Sequence, residues 1–220
     1  MTDAERNPDQ HPEQGPAAGA PLIDLAAQAR EVARLAAGTA EEQLAAPTPC
    51  SAFAVRDLLG HLVGLTAAFR DAARKDRGPT TEAPPGAALP ELAPGWRAEL
   101  AGNLDALAAA WRAPAAWEGE TQVGGVTLPG AAAGRFALNE LVVHGWDLAR
   151  ATGQEYAPDG PSLDVSYALL AATAAGPEGG SPFGAAVPVS EGAPLLDRVV
   201  ALSGRHPDWT PPRNPRASCP

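Results

Sequence analysis

The chain has 220 residues, 45% of them hydrophobic, and a formal net charge of −10. That length suits one domain with its own core, and the 16 Lys and Arg residues are scattered with no basic stripe or interleaved aromatics, which speaks against nucleic-acid binding. Two cysteines, Cys50 and Cys219, make no disulfide framework. No apolar run approaches a membrane span, and the polar start lacks a signal peptide's apolar stretch, so the expected location is cytoplasmic.

Much of the apolar content is alanine, which favours helix over strand. Residues 1–20 are rich in Pro, Gly and charge and are expected to be a disordered tail that includes His11. A first helix is predicted over 21–38, with Leu22, Leu25, Ala29, Val32 and Ala36 at helical spacing. A loop with Pro47 and Pro49 follows. The second helix is predicted over 55–74, where Leu58, His61, Leu62, Leu65 and Phe69 share a face. After a Pro- and Gly-rich loop (78–90), Leu89, Leu92, Trp96, Leu100, Leu104, Leu107 and Trp111 step by three and four through a third helix. Residues 117–128 break that pattern, and Gly124-Gly125 reads as a hairpin turn or a structured loop. A fourth helix is predicted over 129–153, a fifth over 162–175 and a short one over 194–203. The tail from His206 reads as extended, and residues 210–220 as disordered. The expected fold is all-α: a four-helix bundle with a hairpin or loop insertion, its domain spanning 21–209.

The fourth helix is apolar nearly all round, as in a buried helix. Yet Glu140 and His144, four residues apart, stack on one face with Asp147 beside them. A buried carboxylate needs a partner. Either these two groups form a hydrogen-bonded pair that locks the helix, or they ligate a divalent transition metal. His61 bears on that choice. Of four histidines, His11 and His206 fall in expected tails, so His61 and His144 are the two on inward helical faces. Two His and one Glu would leave an open coordination position, the arrangement of catalytic zinc sites. Asp147 and Asp57 are candidates to orient the ligands from behind, although Asp57 equally suits the start of its helix.

Other groups are weaker candidates. Cys50 has no histidine near it in sequence, so a packed thiol is the plainer reading than a nucleophile. Arg56, Arg135 and Arg150 suit an anionic substrate or an exposed helix face. There is no phosphate-cradling loop or dinucleotide fingerprint, and no catalytic or cofactor-binding residue is singled out.

The run from Thr48-Pro49-Cys50-Ser51 through Val55-Arg56-Asp57-Leu58-Leu59-Gly60-His61-Leu62-Val63 resembles the second-helix signature of actinobacterial proteins related to mycothiol-dependent maleylpyruvate isomerase. The run from Glu140 to Gly153 is similar to the second metal motif of that family, and Leu195-Leu196-Asp197-Arg198 with Arg205-His206-Pro207 is similar to its usual ending. The resemblance covers roughly residues 22–209. It implies a DinB-like four-helix bundle and a metal, usually zinc, on His61, Glu140 and His144. It also implies a low-molecular-weight thiol such as mycothiol as cofactor, with an electrophilic partner substrate. Phe53 and Ala54 depart from the Trp and Thr usual there, and the chain is shorter than an isomerase carrying its additional C-terminal domain. Three activities fit: thiol-dependent isomerisation or S-transfer, metal-activated hydrolysis with Asp147 as base, or metal binding without catalysis. The oligomeric state is not legible.

Overall fold

The computed structural model describes residues 23–84, 92–174 and 184–212. Four helices form the bundle: α1 (Ala26–Ala37), α2 (Val55–Arg74), α4 (Trp96–Ala110) and α6 (Gly130–Thr152). In cross-section α1 touches α4 and α6, and α2 touches the same two, so the four close into a square with α1 diagonal to α2. Their apolar faces make one core, with Val32, Leu35, Leu58, Leu62, Leu104, Leu107, Leu138 and Leu141 almost or completely buried. The family expectation is met: the protein is all-α and DinB-like, with a single small hairpin among the described residues. No described helix is long and apolar enough to cross a membrane.

Outside the bundle lie the 15-residue α7 (Gly160–Ala174), the shorter α3 (Pro79–Glu82), α5 (Pro114–Trp117) and α8 (Leu195–Leu202), and the strands β1 (Glu120–Val123) and β2 (Val126–Pro129). β1 and β2 pair antiparallel, with Val123 opposite Val126. Gly124 and Gly125 both hold positive φ, 63° and 75°, which is the mirror-image turn that two-residue hairpins prefer. Thr121 Oγ1 donates to the Ala72 carbonyl at 2.6 Å and so pins the hairpin on the end of α2.

Some boundaries differ from the sequence reading. The third long helix starts at Trp96, because Pro94 and the positive φ of Gly95 interrupt the apolar stepping at Leu92. The loop after α2 contains the short α3. Residue Leu89 and the expected N-terminal tail, His11 included, lie outside the described residues, as does Cys219. Residues 205–212 hold no helix or strand, but Arg205 is buried there.

The all-round hydrophobicity of α6 has a direct cause. It contacts α1 and α2 inside the bundle, and α7 and α8 cover it from outside. Close approach there requires glycine: a Cβ on Gly134 would sit 2.6–2.8 Å from the indoles of Trp117 and Trp111. Gly153, at φ 70°, then ends the helix in the left-handed conformation.

Candidate metal centre

α2 and α6 lie side by side, and that contact brings His61 to the pair on α6. Glu140 Oε2 is 3.1 Å from His144 Nε2 and 3.7 Å from His61 Nε2. The two imidazoles meet edge to face, with centroids 4.9 Å apart. One donor atom from each of the three residues falls within 4.8 Å of the others. A tetrahedral ion with bonds of about 2.0–2.1 Å separates its ligand atoms by about 3.3 Å, so this spacing fits one small divalent ion after slight adjustment. The donor set, two imidazoles and a carboxylate, is of the borderline character that zinc and similar ions take.

Burial grades across the cluster. The side chain of His144 is 9% exposed, that of Glu140 19% and that of His61 30%. Access from solvent therefore lies on the His61 side, where the Phe53 ring packs against the imidazole at 5.5 Å between centroids.

Behind His144 the chain builds a second layer. His144 Nδ1 lies 2.9 Å from Asp147 Oδ2, so it carries the proton and donates, leaving Nε2 to face Glu140. Asp147 is wholly buried. A bare carboxylate there would be costly, and Arg205 meets it with a fork: Nη2 to Oδ2 at 3.0 Å and Nε to Oδ1 at 3.3 Å.

These contacts set the protonation of the metal-free site. Burial alone would depress the basicity of His144, but the hydrogen bonds to Asp147 and Glu140 outweigh it and raise its pKa to about 9. Burial likewise opposes ionisation of Glu140, yet its hydrogen bonds to His144 and His61 hold its carboxyl far below the usual range. Without metal, at neutral pH, His144 is thus imidazolium between two carboxylates.

Asp57 is engaged at the start of its own helix. Its Oδ2 accepts from the Ala54 backbone N–H at 2.9 Å and closes the first turn of α2, where alanine offers no cap of its own. Cys50 sits half-buried in the turn before α2, its carbonyl accepting from Phe53 N–H and Thr48 Oγ1. Burial pushes its thiol pKa up, with Arg205, Asp147 and Glu140 the charges that act on it. Arg150 donates to the Trp209 carbonyl, while Arg56 and Arg135 are exposed.

Hollows open beside the bundle, and two of them differ in their relation to the donor cluster. The larger, about 820 Å³, is lined by Arg56, Asp57, Leu92, Trp96 and Arg97 and does not include the three donors. The smaller, about 460 Å³, is lined by Thr48, Phe53, Ala54, Trp209 and Pro212. It adjoins the centre through Phe53, whose ring touches His61. Size does not identify the site here. The convergent donor atoms do.

Sequence reasoning named Arg205 and Phe53 only within the family resemblance and gave neither a part in the site. No local spacing reveals either, since one lies 58 residues beyond Asp147 and the other precedes its helix. The usable signal was chemical: a fully buried Asp147 requires a cation.

Two imidazoles and a carboxylate that converge from facing helices form a cluster that could hold a metal ion, in the place where helical bundles build such sites. The family is specific. Residues 25–149 match the model of the mycothiol maleylpyruvate isomerase N-terminal domain, and the chain belongs to that family. It is also similar to two proteins of Mycobacterium tuberculosis, the uncharacterized protein Rv0738 of strain ATCC 25618 / H37Rv and the uncharacterized protein MT0763 of strain CDC 1551 / Oshkosh. Each is 29% identical over 176 residues, covering 79% of this chain and 91% of that protein. No solved structure matches the chain significantly.

Proposed function

We propose that the chain holds one divalent metal, zinc being the expected ion, on His61 Nε2, Glu140 Oε2 and His144 Nε2, and uses it to activate a low-molecular-weight thiol such as mycothiol for isomerisation or S-transfer. The observation that carries this reading is the convergence of three donor atoms from two helices at an accessible edge of the bundle. The family, described by a mycothiol-dependent isomerase, supplies the thiol. When bound, the metal supplies Lewis acidity that lets a thiol ionise at neutral pH.

The protein's own groups do the rest. Asp147 keeps the Nδ1 proton of His144, which frees Nε2 as a ligand. With both ligand histidines neutral, Glu140, Asp147, Arg205 and a divalent ion leave one net positive charge, which suits an anionic sulfur. Phe53 covers one side of His61 and limits water there. Cys50 is a poor nucleophile, because burial pushes its thiol away from the thiolate form. The attacking sulfur is therefore assigned to the small thiol. The electrophilic carbon it attacks belongs to a small-molecule substrate in the adjoining hollow. Hydrolysis is the less favoured reading, because Asp147 is wholly buried and both its oxygens already accept from His144 and Arg205, a poor setting for a general base that must reach a water.

The test is metal content after purification without chelator, compared among wild type, His61→Ala and Glu140→Ala. One equivalent in wild type and loss in both variants is expected. Metal-loaded protein incubated with mycothiol and an electrophile should then give conjugate or isomer at a rate that the variants lack. A wild type that neither carries nor takes up zinc would sink the proposal, and tight metal binding with no thiol chemistry would reduce it to a binding protein.

A further inference from the structure

The segment that matches the family ends at residue 149, yet the carboxylate behind His144 is completed from much further along the chain. α8 buries Val199, Val200 and Ala201, and it stops in a left-handed turn at Gly204, φ 82°. Gly204 N–H donates to the Ala201 carbonyl, and Arg205 N–H reaches back to the Val200 carbonyl at 3.0 Å. That turn reverses the chain and aims Arg205 at α6. Its guanidinium then takes both oxygens of Asp147, and Nη1 is tied to the Ser203 carbonyl at 2.7 Å. One turn along α6, Arg150 grips the Trp209 carbonyl, so the segment is stapled to the helix at two points.

We propose that Arg205 is a positioning residue of the metal centre: acting through Asp147, it holds the His144 ring in the orientation and tautomer that present Nε2 to the ion. This rests on the reading of His61, Glu140 and His144 as ligands. The planar fork matters. A carboxylate held at both oxygens cannot rotate, and the His144 ring that donates to it cannot rotate either. Without Arg205, Asp147 would be a buried, one-sided acceptor, free to turn toward any other donor, water included. The metal centre of this chain is then not confined to the matched segment, because residues 203–209 complete it. A purely structural staple predicts something different: loss of Arg205 would loosen the C-terminal segment and leave the ligand geometry untouched.

The experiment compares zinc affinity, by competition with a chromophoric chelator, among wild type, Arg205→Met, Arg205→Lys, Asp147→Asn and the double variant Arg205→Met/Asp147→Asn. Circular dichroism checks that each is folded. The visible spectrum of the cobalt(II) form reports ligand arrangement. Arg205→Met should weaken zinc by about 10- to 100-fold and alter the cobalt spectrum, with Arg205→Lys intermediate because it keeps charge without the fork. The double variant should be no weaker than the worse single variant by more than about twofold, since both act on one ring. Should Arg205→Met not fold, Arg205→Lys carries the same comparison. Arg205 variants within about twofold of a tight-binding wild type, with an unchanged cobalt spectrum, overturn this proposal alone, as does a double variant whose losses multiply. A wild type that binds no zinc overturns the metal reading and this one together.

Discussion

Metal uptake should be coupled to the loss of one proton from His144. In the metal-free protein His144 is imidazolium, with a pKa of about 9, because Asp147 and Glu140 both accept from it. A metal ligand must be the neutral ring. At pH 7 the ion therefore displaces a proton held about two pKa units above ambient, which costs about 2.7 kcal/mol, or about 100-fold in affinity. The apparent dissociation constant should tighten by about tenfold between pH 7 and pH 8 and level off only above pH 9. Titration calorimetry at pH 7 in two buffers of different ionisation enthalpy reads the proton count directly, and close to one should be released per zinc. Asp147→Asn, which removes the anion beside Nδ1, should lower that count. A pH-independent affinity from 7 to 8 with no proton release would refute the reasoning: His144 would then either be neutral beforehand or stand outside the coordination sphere.

The same two shifts govern the metal-free fold. His144 stabilises it fully below the ordinary imidazole range and loses that contribution as pH rises toward 9, while Glu140, shifted downward, contributes above the carboxylate range and is lost only in strong acid. Thermal melts without metal should thus fall from pH 7 to 9, and the increment given by saturating zinc should grow over that interval. Asp57→Ala should cost about 1 kcal/mol in a denaturant melt by uncapping α2, with zinc affinity unchanged, since its carboxylate is held by the Ala54 N–H. Weakened zinc binding in that variant would restore Asp57 as an orienting group. Gly134→Ala should destabilise by about 1–3 kcal/mol, because the new methyl meets two packed indoles, one of them from the fully buried Trp111. An unchanged melting temperature would show that the indoles yield.

The long helices of this protein are marked locally, and the sequence alone determined their existence, though not the short α3 and α5. Apolar spacing of three and four marks α1, α2 and most of α4, an almost unbroken apolar run marks α6, glycine and proline punctuate their ends, and Gly124-Gly125 allowed the hairpin that β1 and β2 form. The Glu140–His144 stripe was legible for the same reason, as both residues sit on one helix at a fixed spacing. That His61 was worth pairing with them came from counting histidines and from the family's signature, not from geometry. Only the tertiary structure decided the rest. Packing of α2 on α6 sets His61 3.7 Å from Glu140, and it leaves Asp57 facing its own helix end. Packing of α7 and α8 on α6 buries Asp147 and carries Arg205 across to it from 58 residues away. A residue's helical face follows from spacing along its own chain segment. Which distant charge meets a buried carboxylate depends on how the layers stack, and no local pattern encodes that.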